Sequence, residues 1–243
     1  MNIIKLDSTD STNNWLIQNE HSVESPALVF CISQTAGRGQ RGNSWESEPG
    51  KNITASIIFH PENFPAHQQF KISEAVALTL TDYLDDKGVD AKVKWPNDIY
   101  VGDKKICGIL VEHVVTGRNL SRTIAGFGLN LNQKEFLSDA PNPVSLSQIT
   151  GKEYNLEEEI KEVANRLEKS LAKLNETDFH NKFLRNLYRH DGLHHKFYDR
   201  VRNENIKAKI LTVAPEGILT LKTDKGETRD YAFKEVEFII NER

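Results

Sequence analysis

The 243-residue sequence has few cysteines and no excess of positive charge. Its 2 cysteines, Cys31 and Cys107, lie far apart in apolar stretches, so they form neither a disulfide framework nor a metal knuckle. We predict that both are small buried side chains. The formal net charge of −4 argues against a general nucleic-acid-binding protein, because such proteins usually carry a basic excess.

Signals for membrane insertion, export and metal binding are also missing. No stretch approaches the roughly 18 to 20 consecutive apolar residues that a transmembrane helix needs. The polar N-terminal segment M-N-I-I-K-L-D-S lacks the apolar core of a signal peptide. His180, His190, His194 and His195 show no acidic or cysteine partner at metal-ligand spacing. We therefore expect a cytoplasmic protein with no membrane contact and no metal site of its own.

The remaining sequence is typical of a packed α+β protein. Hydrophobic residues make up 38% of the chain. Apolar patterns predict strands at residues 2–6, 27–33, 52–59, 91–95, 99–101, 105–115 and 122–131, and helices at 69–86, 156–174 and 178–189. These elements suggest a mixed sheet with helices on one face. Short strands separated by turns then predict a small antiparallel barrel, so we expect a larger domain at 1–190 and a smaller one at 191–243.

Six short segments contain most of the residues that indicate chemistry. In chain order they are D-S-T-N at 10–13, G-R-G-Q-R-G at 37–42, K-W-P-N-D at 94–98, D-K-K-I-C-G-I-L-V-E at 103–112, A-G-F-G-L-N-L-N at 125–132 and P-V-S-L at 143–146. Glycines in the second segment let the backbone approach an anion, and Arg38 and Arg41 add fixed positive charge. The segment matches neither a P-loop nor the dinucleotide-binding fingerprint.

Taken together and in this order, the segments resemble the biotin protein ligases, also called biotin–[acetyl-CoA-carboxylase] ligases. The resemblance covers most of the chain. It implies a catalytic biotin/ATP-binding domain of the class II aminoacyl-tRNA synthetase-like type, followed by a small SH3-like β-barrel. It also implies an ATP-dependent reaction in which biotin becomes biotinyl-5′-AMP and is then joined to a lysine of an acceptor protein.

The resemblance further implies substrates and partners. ATP, with its Mg²⁺, and biotin would be the substrates, and the acceptor would be the biotin carboxyl carrier protein domain of a biotin-dependent carboxylase. Because D-S-T-N begins at residue 10, there is no room before it for the N-terminal DNA-binding domain that some relatives carry. We therefore expect the catalytic-only form, without DNA binding. A homodimer formed through the edge of the central sheet is also expected.

The family's functional residues fall on matching positions of this sequence. The biotin site would comprise Ser11, Thr12, Asn13, Gln34, Arg38, Gly39, Gln40, Lys105 and Gly108. The ATP site would comprise Arg38, Arg41, Trp45, Asn97, Gly128 and Asn130. Catalysis would depend on Lys105, Asp98 and Arg38. Many relatives carry basic residues where this chain has Gln40 and Asn43, so Arg41 would have to supply the missing phosphate contacts.

Simpler interpretations stay open for several of these residues. The D-S-T-N segment could only cap a helix, Lys105 could be an exposed turn lysine beside Lys104, and Asp98 could form an Asx turn. Two other functions are also considered. A lipoate or octanoate ligase shares a related fold, but its arginine followed by a glycine run is absent. A noncatalytic nucleic-acid module would need a basic face with exposed aromatic residues.

Overall fold

The larger of two sheets contains 7 strands. The computed structural model describes residues 1–137 and 142–240, apart from the side chain of Arg41. The strands are β1 (Asn2–Thr9), β2 (Ala27–Gln34), β3 (Ile53–Phe59), β4 (Ala91–Lys94), β5 (Asp98–Val101), β6 (Lys104–Thr116) and β7 (Asn119–Leu129). Their order is β1-β2-β3-β7-β6-β5-β4, with β1 and β2 parallel and the other neighbours antiparallel. The predicted mixed sheet is confirmed.

Helices cover both faces of this sheet. They are α1 (Thr12–Asn19), α2 (Phe70–Asp86), α3 (Leu146–Thr150), α4 (Leu156–Leu171) and α5 (Phe179–Arg185). The main core, which includes Leu28 and Phe30 of β2, is shared with α2, α4 and α5. Leu16 of α1 packs in a second cluster with the alternate residues Ala27 and Val29. The prediction that helices cover only one face of the sheet was therefore wrong, because β2 buries side chains on both of its faces.

The C-terminal strands form a separate antiparallel sheet. They are β8 (His195–Asp199), β9 (Glu204–Val213), β10 (Leu219–Thr223), β11 (Thr228–Tyr231) and β12 (Val236–Phe238), in the order β11-β10-β9-β8-β12. The predicted small β unit is confirmed. No ladder joins β11 to β12 within the described ranges, so the unit is a 5-stranded sheet without the closure that the predicted SH3-like barrel requires. The domain boundary at 190 stays a prediction.

Aromatic packing fixes the C-terminal sheet against the larger one. The indole of Trp95 is fully buried, and its Nε1–H donates to the carbonyl oxygen of Gly217 at 2.9 Å. The Trp95 ring also packs edge-on against Phe233, with 5.5 Å between ring centres. This contact places the residues after Phe233 beside the K-W-P-N-D turn. Among residues 1–137 and 142–240, we find no helix with the length and apolarity that membrane crossing demands.

Candidate active site

One row of residues crosses the larger sheet beneath the predicted site. Lys94 lies opposite Asp98, Asp98 opposite Gly108, and Gly108 opposite Gly128. Directly opposed residues of neighbouring antiparallel strands point to the same face of a sheet. The row therefore forms a floor for the site. Its two glycines carry no side chains, and two charged side chains lie at one end.

A cleft of about 1590 Å³ opens above this row. Its walls come from the start of α1, the Gly-Arg loop (residues 37–45), the K-W-P-N-D turn and the end of the C-terminal sheet. Most predicted site residues line it: Ser11, Thr12, Asn13, Gln34, Arg38, Gly39, Gln40, Trp45, Asn97, Asp98, Lys105, Gly108 and Gly128. The volume exceeds the range of roughly 300 to 1,000 Å³ typical of small-molecule sites, so there is room for two substrates.

Hydroxyl and amide groups form one end of the cleft. The backbone N–H of Thr12 donates to Gln34 Oε1 at 3.1 Å. The hydroxyls of Thr12 and Ser56 are 2.6 Å apart, and Ser56 Oγ donates to Asn13 Oδ1 at 2.5 Å. Ser11 is the N-cap residue of α1, but its side chain makes no capping hydrogen bond. Helix capping alone therefore does not account for the D-S-T-N segment.

Gly126 makes room for this polar network. A Cβ atom at Gly126 would lie 2.1 Å from Asn13 Oδ1 and 3.1 Å from Ser56 Oγ. A separation of 2.1 Å is too short for two heavy atoms that are not bonded, so any side chain at this position of β7 would displace the Asn13 amide. The glycine is needed for the close approach of α1 to the sheet.

Glu112 joins the Gly-Arg loop to the polar end of the cleft. Its Oε1 accepts from Arg38 Nη2 at 2.8 Å, and its Oε2 accepts from Asn13 Nδ2 at 2.7 Å. Arg38 Nη1 also donates to Asn14 Oδ1 at 2.6 Å. This role of Glu112 was not predicted from the sequence, although Glu112 is the last residue of the motif at 103–112. An acidic residue ending a motif on a strand was the only signal available.

Lys105 and Asp98 form an ion pair within the cleft. Lys105 Nζ lies 2.7 Å from Asp98 Oδ1, and both side chains are mostly buried. The backbone N–H of Lys105 donates to the carbonyl of Asn142 at 2.8 Å, and its own carbonyl accepts from Val144 N at 2.9 Å. The neighbouring Lys104 is exposed. Lys105 is therefore not the exposed turn lysine of the simpler interpretation.

Trp45 lies across the two glycines of the floor. A Cβ atom at Gly128 would be 2.2 Å from Trp45 Cε2, and one at Gly108 would be 2.9 Å from Trp45 Cζ3. Lys105 Nζ is 5.5 Å from the centre of the indole ring, a distance typical of a cation–π contact. The indole Nε1–H is buried and has no acceptor among the described residues.

The Gly-Arg loop folds back on itself beside the cleft. Gly39 N donates to the carbonyl of Asn43 at 2.7 Å, and Trp45 N donates to the carbonyl of Gly37 at 2.9 Å. A single 3-10 turn, Gln40–Gly42, forms its tip. Arg41 belongs to that turn, but its side chain lies outside the described residues, so its predicted phosphate contact stays a prediction.

Two asparagines predicted to bind ATP lie in different surroundings. Asn97 lines the cleft, and its Nδ2 donates to the carbonyl of Ile109 at 2.6 Å, which fixes the amide. Asn130 is buried and does not line the cleft. Its Nδ2 donates to the carbonyl of Val144 at 3.1 Å. The structure therefore does not bring Asn130 together with the other predicted residues, because its amide holds the segment that follows the undescribed residues 138–141.

The cleft also contains three cations that were not among the predicted site residues. Lys94 lies over the rings of Phe238 and Tyr100, with its Nζ 4.8 and 5.2 Å from their centres. Burial lowers the pKa of Lys94 below its usual range. Arg200 and Lys234 come from the C-terminal sheet and the residues around it. No three His, Cys, Asp or Glu side chains are grouped for metal binding in the part of the chain that the structure describes.

Comparison with known proteins identifies the family. The Biotin/lipoate A/B protein ligase family matches residues 4–130, about half of the chain. The chain belongs to this family. The bifunctional ligase/repressor BirA of Bacillus subtilis is 29% identical over 234 residues, which are 93% of this chain and 70% of that protein. The biotin--[acetyl-CoA-carboxylase] ligase of Paracoccus denitrificans is 31% identical over 157 residues, 62% of this chain and 65% of that protein.

A solved structure gives the same result for the fold. Biotin protein ligase from Aquifex aeolicus in complex with biotin and ATP has a TM-score of 0.79 and 25% identity, and the match covers 97% of each chain. The resemblance inferred from the motifs is confirmed, as is the α+β fold of a biotin ligase catalytic domain. The polar cleft described above is thus the candidate active site of a member of the biotin/lipoate ligase family.

Proposed function

We propose that this chain is an ATP-dependent ligase that activates biotin as biotinyl-5′-AMP and transfers it to a lysine of a biotin carboxyl carrier protein. One observation supports this more than any other. The hydroxyl and amide groups suited to a neutral cyclic urea and the Lys105–Asp98 pair suited to acyl transfer line the same cleft. The two reactants of each step can therefore be held side by side.

In the first step, a carboxylate oxygen of biotin attacks the α-phosphorus of ATP and pyrophosphate leaves. Ser11, Thr12, Asn13 and Gln34 would bind the ureido ring, while Lys105 would lie between the carboxylate and the α-phosphate. Both groups are anionic, so a compact ammonium between them reduces their repulsion and stabilises the charge of the transition state. Arg38 would add a second positive charge from the loop. Mg²⁺ would enter bound to ATP, as part of that substrate.

In the second step, the amine of the acceptor lysine attacks the carbonyl carbon of biotinyl-AMP. An amide forms, AMP leaves, and the attacking nitrogen loses a proton. Asp98 is the proposed acceptor of that proton, because its carboxylate lies in the cleft beside Lys105. The Gly-Arg loop and Trp45 would line the adenylate and keep water from the mixed anhydride, and Asn97 would contact the nucleotide. Gly128 would contribute by leaving room for the Trp45 indole. A homodimer and a cytoplasmic location stay predictions.

Exchange of radiolabelled pyrophosphate into ATP tests the proposal. Mixed separately with biotin, lipoate or no acid, the protein should catalyse exchange only with biotin. Exchange that depends on lipoate would support the lipoate ligase alternative, which belongs to the same family. No exchange with either acid would contradict the proposed adenylation chemistry.

Glu112→Gln should raise the KM for biotin roughly tenfold. The carboxylate orients the Asn13 amide and holds Arg38, and each of these is a hydrogen bond to a charged group. The measurement is biotin-dependent pyrophosphate exchange at varied biotin. Glu62→Gln, at an exposed glutamate, is the matched control and should match the wild type. An unchanged KM for biotin in Glu112→Gln would show that the network does not position the biotin site.

A further inference from the structure

Most cations of the cleft are already neutralised by a carboxylate. Arg38 pairs with Glu112 at 2.8 Å, and Lys105 pairs with Asp98 at 2.7 Å. Arg200 pairs with Glu237. Among the cleft cations whose side chains are described, Lys94 and Lys234 alone have no carboxylate within ion-pair distance. Lys94 lies over two aromatic rings, which partly satisfy its charge.

Lys234 is directed at the tip of the Gly-Arg loop. Its ammonium donates to the backbone carbonyl of Gln40 at 3.3 Å, and both residues line the cleft. A lysine ammonium has three donors, and this carbonyl is the one acceptor that Lys234 has in the described chain. The remaining donors are therefore available beside a loop tip where Gln40 and Asn43 are uncharged.

The backbone around Lys234 is fixed. Phe233 packs against Trp95, with 5.5 Å between ring centres, and against Phe70 at 5.9 Å. Lys234 itself has a φ of 70°, in the left-handed region that residues other than glycine and asparagine seldom adopt. Such a conformation persists only where the surrounding packing imposes it. The packing thus fixes the backbone of Lys234 at the boundary between the C-terminal sheet and the loop, within reach of the loop tip.

We propose that Lys234 binds a phosphate group of ATP, so that the C-terminal unit supplies a cation to the nucleotide site. This inference rests on the proposed function, because it assigns ATP to the cleft. A positive charge without a carboxylate partner, in a partly buried cleft, favours a polyanionic ligand. Gln40 and Asn43 are neutral, so they add no charge to the loop tip. Lys234 donates to the carbonyl of Gln40 and therefore brings a positive charge to this tip.

The competing explanation is that Lys234 only ties the C-terminal unit to the loop. The two explanations differ in which constant a substitution changes. A phosphate contact affects the binding of ATP selectively and depends on charge. A structural tie affects the stability of the protein and the kinetic constants for both substrates together.

Lys234→Met in the full chain tests the inference by biotin-dependent pyrophosphate exchange. The KM for ATP should rise about tenfold or more, the scale for losing one charge-assisted hydrogen bond. The KM for biotin should stay within about twofold, and the melting temperature should not change. Lys234→Arg should restore most of the affinity for ATP. Lys225→Met, at an exposed lysine in the turn between β10 and β11, is the control and should match the wild type.

A direct titration separates this inference from the proposed function. The probe is an ATP analogue with a methylene group between the α- and β-phosphates, and its Kd should rise about tenfold in Lys234→Met. Wild-type protein that binds the analogue but shows no biotin-dependent exchange would contradict the proposed function, and the Lys234→Met titration would still decide the inference. An unchanged Kd, or equal losses for biotin and ATP with a lowered melting temperature, would overturn it.

Discussion

Lys105→Ala should reduce the formation of biotinyl-AMP roughly 10² to 10³-fold, the scale for removing one well-placed electrostatic group. The ammonium is mostly buried in the cleft, 2.7 Å from Asp98 Oδ1. Its backbone hydrogen bonds to Asn142 and Val144 do not involve the side chain, so the segment should keep its position. The measurement is the single-turnover rate of biotinyl-AMP formation, with the melting temperature recorded for each variant.

Lys104→Ala is the matched control for this experiment. The two lysines are adjacent, but Lys104 is exposed and Lys105 faces the cleft. Lys104→Ala should therefore form biotinyl-AMP at the wild-type rate. A second variant combines Lys105→Met with Asp98→Asn and so removes both charges of the pair. A loss of adenylation in this variant cannot come from an unpaired Asp98 carboxylate. Near wild-type adenylation by a folded Lys105→Ala protein would exclude Lys105 as the catalytic charge.

Asp98→Asn should separate the two half-reactions. The substitution keeps the shape of the side chain and removes its ability to take a proton from the acceptor lysine. General-base assistance is worth roughly 10² to 10⁴ in rate, so transfer of biotin to the carrier protein should slow by that factor. Biotinyl-AMP formation should stay within a few-fold of the wild type, to order of magnitude, because Lys105 keeps its charge. Both steps can be followed separately in single-turnover experiments.

The Asp98–Lys105 pair gives this experiment a second possible outcome. If Asp98 mainly orients Lys105 or supports ATP and Mg²⁺, adenylation itself should collapse in Asp98→Asn, and the transfer role would have to be withdrawn. Asp90→Asn provides the control, since Asp90 is an exposed carboxylate that pairs with Lys92 at 2.9 Å and lies outside the cleft. It should leave both half-reactions unchanged.

The sequence predicted the strands and the long helices because their patterns are local. Alternating apolar residues or apolar residues at helical spacing report how a segment is buried. They do not report which face of a sheet a helix covers, and the position of α1 was missed for that reason. The sequence likewise does not show why β7 requires glycines. The structure gives the reason, because the side chains of Asn13 and Trp45 pack directly against them.

The motifs predicted most residues of the cleft, but not the contacts that connect them. Glu112 and Arg38 are 74 positions apart, and Lys234 and Gln40 are 194 apart. No spacing in the sequence indicates such pairs. The ion pair between Asp98 and Lys105 also depends on a register shift between Ile99 and Tyr100, where β5 meets β6. A single sequence contains no pattern that predicts an irregularity of this kind.

A single-turnover chase tests the central claim, that one cleft carries out both half-reactions. The protein is incubated with ATP and biotin, the protein-bound product is isolated, and a biotin carboxyl carrier protein is added without further ATP. We expect biotinyl-AMP on the protein before the chase, and afterwards one biotin amide on a carrier lysine for each AMP released. Absence of the adenylate, or a bound adenylate that never reaches the carrier lysine, would contradict the account.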